Sequence, residues 1–402
     1  MRRITKITAG ALASVLLFAG CTAAGTTSGQ GTSSQTAAGT GSTTGNVDTS
    51  SAQASSSLEL SASPEIDWSS LPTTDVTLTD DGLAITEAGT YVLTGTSSGQ
   101  VTVDVDGDVR IVLDGATIAS TVGAAIQIDN AQTTVLELAD GSTNTVSDAG
   151  TRADEEIDGA IYSSDDLVIT GGGTLNVTAA FADGIVGKDD LWIESGTITV
   201  TSADDGIRGK DSLTVSGGTL TIDATGDGMK SSNDTDLGKG QLAITGGDIT
   251  ISTGDDAIKA EQTLWISGGT IDIAESVEGI EAPVIVIDDG QITLNASDDG
   301  INASASEIIT DGLSITINGG SLTIAMGQGD TDAIDSNGDL TISGGTLDIT
   351  AQSPFDFDGT GTLNGATVTV NGEQVTELTN QMMGGPGGMG GGPGGGGAPG
   401  GR

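Results

Sequence analysis

The chain has 402 residues, with 56 acidic against 12 basic side chains, a formal charge of −44, no histidine and a single cysteine. That balance repels nucleic acid and anionic lipid and attracts cations. Without histidine or a second cysteine there can be no Ser-His-Asp triad, no Cys-His pair and no His/Cys zinc centre.

Arg2, Arg3 and Lys6 precede an apolar run at residues 9–19, and Gly20 and Cys21 follow. This is the charged, apolar, small-residue order of an export signal, and the run is too short to span a bilayer. Cys21, directly after Phe18, Ala19 and Gly20, reads as the lipidation cysteine of a bacterial lipoprotein, although Phe18 stands where leucine is usual. The alternative is a cleaved secretory signal with an incidental cysteine. Residues 1–20 are assigned to the signal. Residues 21–60, almost wholly Ser, Thr, Gly, Ala and Gln, are assigned to a flexible tether. The expected location is extracytoplasmic, at the cell surface, with the lipid anchor as the membrane contact.

Residues 61–150 read as an N-terminal β cap and first turns. TYVLTGTSSGQVTVDVDGDVRIVLDGATI has long alternating strands and an irregular period, and a β-sandwich is the alternative for residues 74–148.

Residues 151–380 repeat. An acidic residue two places before an apolar one recurs at Asp183/Ile185, Asp205/Ile207, Asp227/Met229, Asp256/Ile258, Glu278/Ile280, Asp299/Ile301 and Asp332/Ile334, mostly at intervals of 21 or 22 residues. Within a repeat, Leu213-Thr214-Val215 and Leu220-Thr221-Ile222 alternate with period two around Gly217-Gly218, which predicts short strands and tight corners. Aromatic residues are 2% of the chain, so the core must be thin layers of Ile, Val, Leu and Ala. The fold predicted is all-β: a right-handed parallel β-helix with three short strands per turn and about 22 residues per repeat. Two longer intervals, at residues 231–240 and 302–312, predict inserted loops. Residues 381–402, mostly Gly with Pro386, Pro393 and Pro399, predict a disordered tail.

In parallel stacking the recurring acids form a column with rungs about 4.8 Å apart, doubled at Asp204-Asp205, Asp255-Asp256 and Asp298-Asp299. Such carboxylates repel unless a cation or protons intervene, and calcium takes six to eight hard oxygens. The expected metal ligands are Asp204, Asp205, Asp227, Asp255, Asp256, Asp298 and Asp299; a solvated acidic edge is the alternative. Lys188, Lys210, Lys230 and Lys259 lie just after the anchors and either compensate these charges or contact uronate carboxylates. Trp192 and Trp265 occupy the middle of Leu-Trp-Ile triplets, so they are expected to point outward in one column, stacking on sugars or packing on a loop.

EAGTYVLTGT, VRIVLDGATI and LELADGSTNTV, with the DDGI and SGGTLTI repeats, resemble the calcium-bound, lyase-like β-helix proteins described as carbohydrate-binding domain-containing, found on clostridial and other bacterial surfaces. The likeness runs over about residues 84–370. It implies binding of cellulose-like and acid-sugar polymers, calcium in acidic turns, and no established catalysis. The expected partner is a polysaccharide, with no nucleic acid, and the chain is expected to act as a monomer. The alternatives are a calcium-dependent polysaccharide lyase, with Lys210 as candidate base, and a structural surface adhesin.

Overall fold

Residues that alternate with period two bury one face only as strands. In the computed structural model, which describes residues 61–327 and 331–380, the chain is all-β apart from a single 3-10 turn at Trp68–Ser70. The signal (1–20), Cys21, the tether (21–60) and the tail (381–402) lie outside the described residues.

A turn consists of three strands, for example Ile207–Gly209, Ser212–Val215 and Thr219–Ala224. Each pairs in parallel with its counterpart one turn later: Ile207 with Met229, Leu213 with Leu242, Leu220 with Ile249. The first row of strands forms a 12-stranded sheet, and the other two rows belong to a 22-stranded one. Those two rows merge where Thr263–Glu275 and Val284–Ala296 run through the corner without a break. The same parallel pairing joins Thr73–Leu78 to Gly89–Ser97, and that strand to Val109–Ala119. Residues 74–148 are therefore continuous with the repeats and are not a separate β-sandwich.

Stacking places like on like. Ile185, Ile207, Met229, Ile258, Ile280, Ile301 and Ile334 follow one another in register, all fully buried. The two longer sequence intervals are loops, one between Met229–Ser231 and Gln241–Ile244 and the other between Ile301–Ala303 and Ser314–Ile317.

Residues 61–68 double back over the outside of the larger sheet. Trp192 Nε1 donates to the Ser61 carbonyl at 2.9 Å and Ser63 Oγ to Glu194 Oε1 at 2.5 Å. Ile66 and Trp68 pack on a small cluster of Val135, Val168 and Trp192.

The Gly-Gly corner has a backbone reason. Gly218 sits at φ +92, and a Cβ there would lie 2.9 Å from the Gly196 carbonyl of the preceding turn. Gly218→Val is expected to cost about 1–3 kcal/mol, measured as a shift of the urea unfolding midpoint.

Candidate functional site

The acidic anchors begin the first-row strands, stacked on their own kind. Two devices hold this column together. First, four of the anchor carboxylates accept the backbone N–H of the next anchor: Asp183 Oδ1 from Asp205 at 3.2 Å, Asp205 Oδ1 from Asp227 at 2.9 Å, Asp227 Oδ1 from Asp256 at 3.1 Å, and Asp299 Oδ1 from Asp332 at 3.0 Å. Second, the residue three places on is basic in three consecutive turns. Arg208, Lys230 and Lys259 stand in register, and each reaches back to its anchor. Lys230 meets Asp227 and Lys259 meets Asp256, both at 2.6 Å. Arg208 lies 3.7 Å from Asp205, donates through Nε to Asp183 at 2.8 Å, and pairs with Asp158 as well. Lys259 also pairs with Glu281. Lys230 and Lys259 thus serve as charge compensation. Arg208, Asp158 and Glu281 were missed in the sequence, although the acid-to-base spacing of three residues marks Arg208.

Three carboxylate groups come within 4.8 Å: Asp183/Asp204/Asp205, Asp227/Asp255/Asp256 and Asp256/Glu278/Glu281. Their oxygens are the hard donors calcium takes. Arg208, Lys230 and Lys259 also stand on these groups. Of the expected ligands, the Asp205 and Asp227 carboxylates each accept a backbone N–H and meet protein cations, and the Asp256 carboxylate meets Lys259. Asp204 and Asp255 are exposed beside them. Asp298 and Asp299 form no such group among the described residues.

Negative charge nevertheless outruns positive. Burial pushes the Asp205 carboxyl up to about 6, against the pull of Lys230, with Asp183 and Asp227 adding to the rise. Burial likewise takes Asp256 to about 7, and Glu278 to about 8 with help from Glu281 and Asp256. A carboxyl raised above its unfolded value adds stability that is complete at low pH and lost as pH rises through the folded value. The melting temperature in chelator should therefore fall between about pH 5 and pH 9. Glu278→Gln, which can still accept from Asn302 Nδ2, should flatten that slope. A melting temperature rising over the same interval would refute the account.

Lys188 and Lys210 are the remaining lysines of this face. Lys188 pairs with Asp158 at 3.2 Å and lies 5.6 Å from the Tyr162 ring centroid. Lys210 makes no ion pair among the described residues and lines an open groove of about 650 Å³ with Tyr162, Lys188, Arg208, Lys230 and Asp234. Asp234 belongs to the first inserted loop. A second cleft of about 410 Å³ continues past Lys259 and Glu261 to Glu307 and Thr310 of the other loop. The insertions are the walls of a trough along the smaller sheet.

The tryptophans are elsewhere. Register runs Trp192, Thr214, Ala243, Trp265 on the outside of the larger sheet. Trp192 points away from the core, but residues 61–68 cover it and leave it 4% exposed. It is not offered to a glycan, because a buried indole with its N–H satisfied is already part of a packed cluster. Trp265 is partly exposed and donates to Asp288 Oδ2 at 2.7 Å. Trp192→Ala should destabilise by about 3 kcal/mol without altering glycan retention in a pull-down at 20 °C, where the variant remains folded.

The family model of the carbohydrate-binding domain-containing proteins matches residues 79–331 and 276–380. A carbohydrate-binding domain-containing protein of Acetivibrio thermocellus is 40% identical over 124 residues, 29% of this chain and 43% of that protein. The chain thus spans less than half the length of the relative it matches. A solved polysaccharide lyase-like protein from C. thermocellum, a gadolinium derivative, aligns at 31% identity and TM-score 0.47 over 54% of this chain and 98% of that one. On the strength of the family model, which takes in nearly every turn, the chain belongs to the carbohydrate-binding domain-containing family.

Proposed function

We propose that the protein binds polysaccharide in the trough along the 12-stranded sheet. The observation that carries this is Lys210: a half-buried ammonium in an open polar groove, without the carboxylate partner that Lys188, Lys230 and Lys259 each have. Carboxylates and ammonium groups alternate along the floor and suit hydroxyl-rich chains, cellulose-like or pectin-like. Lys210 favours a uronate carboxylate among them. The wider reading is of an exported monomer, anchored by lipid at Cys21 and displayed at the cell surface. Its body is a right-handed parallel β-helix closed at the start by the strands of residues 61–150. Calcium belongs to this reading where the protein's own cations run out.

One observation favours a second reading: the same unpaired Lys210 beside Arg208 could serve a lyase as base next to a uronate carboxyl. Both readings meet in one experiment. Lys210→Ala should weaken retention on polygalacturonate roughly tenfold or more, the scale of one charge-assisted hydrogen bond, at an unchanged melting temperature. Absorbance of unsaturated uronide products should stay flat for the unsubstituted protein. Unchanged retention would remove Lys210 from the site, and sustained product that disappears in the variant would replace binding with cleavage.

A further inference from the structure

The insertion between Met229–Ser231 and Gln241–Ile244, which brings Asp234 to the trough, is tied down at both ends by two consecutive residues of the turn before it. At the first end the Asn233 N–H donates to the Lys210 carbonyl at 2.8 Å; at the last the Gly240 N–H donates to the Asp211 carbonyl at 2.7 Å. The Asp211 side chain repeats the pattern. Its Oδ1 accepts from Asn233 Nδ2 at 2.6 Å, and its Oδ2 pairs with Lys239. Gly240 lets the two ends meet, because at φ +64 a Cβ there would lie 2.5 Å from the Asn233 carbonyl oxygen.

The turn after the insertion holds it as well. Gln262 Oε1 accepts from the Gly238 N–H at 2.9 Å, and its Nε2 donates to the Asp236 carbonyl at 2.6 Å. Inside the loop, Asn233 Oδ1 accepts from the N–H groups of Thr235 and Asp236 at 3.1 and 2.9 Å. Asp211, Asn233 and Gln262 are buried, whereas Asp234 is exposed. Burial raises the Asp211 carboxyl, but the bonds from Asp189, Lys239 and Asn233 outweigh it and hold the group below its ordinary value. A loop held by this many buried polar bonds is ordered before a ligand arrives, so binding does not have to offset the entropy of ordering it.

We propose that Asp211 is the positioning residue of the trough: through Asn233 and Lys239 it sets the wall, and with it Asp234, beside Lys210, its own neighbour in sequence. Lys210 is fixed separately by its backbone, since its N–H donates to the Gly187 carbonyl at 2.8 Å and its carbonyl is taken by Asn233. Cation and carboxylate thus belong to one rigid frame, which reads a sugar carboxylate at Lys210 and a sugar hydroxyl at Asp234 together. The ligand class this selects is a uronic acid polymer with its hydroxyl groups free. The inference rests on the proposed binding of polysaccharide at Lys210, and it adds which sugar chemistry the wall admits.

The test is retention of the full chain on polygalacturonate, with the rate of trypsin cleavage after Lys239 as a readout of the wall that needs no ligand. Asp211→Asn keeps an acceptor for Asn233 and loses the charge that holds Lys239. It should weaken retention roughly tenfold, the scale of ordering one or two side chains on binding, and speed cleavage after Lys239. Gln262→Ala, which frees the loop from the other side, should repeat both effects with Asp211 intact. Adding Asp211→Asn to Asp234→Ala should weaken retention no further, because no wall carboxylate is left to place. O-acetylated polygalacturonate should be held by the unsubstituted protein as weakly as Asp234→Ala holds the free polymer. Retention lost in Lys210→Ala but kept in Asp211→Asn and Gln262→Ala would overturn the positioning role and leave the trough. A loss of the same size with and without Asp234 would reduce Asp211 to a structural role. Retention unchanged in Lys210→Ala and Asp211→Asn alike would remove the trough reading and the positioning role with it.

Discussion

Parallel stacking sets each residue about 4.8 Å from its counterpart one turn away, and in this chain the counterpart of an aspartate is another aspartate. For the Ile and Leu columns that repetition is stabilising, since each inward side chain meets its own shape above and below. For the outward acids it is a standing repulsion, greater the more the carboxylates are buried. The N–H of each anchor turned onto the carboxylate before it, and the arginine and lysines three places on, answer this in the middle turns. The order of charges along the smaller sheet follows from where those answers are present and where they stop.

The trough arises where the repeat is broken. Regular turns make a face without walls. The inserted loops at residues 231–240 and 302–312 lift walls beside the first-row strands, bringing Asp234, Glu307 and Thr310 to the edges of a floor made by the regular positions. Precision comes from the rigid rows and relief from the insertions.

Most of this architecture was legible in the sequence because its causes are local and periodic. The anchor spacing, the alternating triplets and Gly217-Gly218 each state a backbone requirement, and the two long intervals could be nothing but loops. The column of Trp192 and Trp265 was legible for the same reason. What lay over Trp192 was not: residues 61–68 carry no repeat, and their contact with residues more than 100 positions away leaves no periodic trace. The partners of the acidic column were missed for a different reason. Doubling of aspartates marks charge, whereas the deciding fact was the identity of the third residue on, basic at Arg208, Lys230 and Lys259 and then Glu281, Asn302 and Asp335. Reading down that column, and not along the chain, shows where neutralisation ends.

The doubled-back segment at residues 61–68 also decides how the solenoid bears load. Tension applied to the chain ahead of Ser61 meets the flank of the solenoid at Trp192 before it meets the first strand at Thr73. It is taken up by one indole hydrogen bond, one hydroxyl-carboxylate contact and the small patch under Ile66 and Trp68. These contacts can peel one after another while the stacked turns stay closed. A pull on Ser61 therefore loads these few contacts before it loads the rungs of the solenoid.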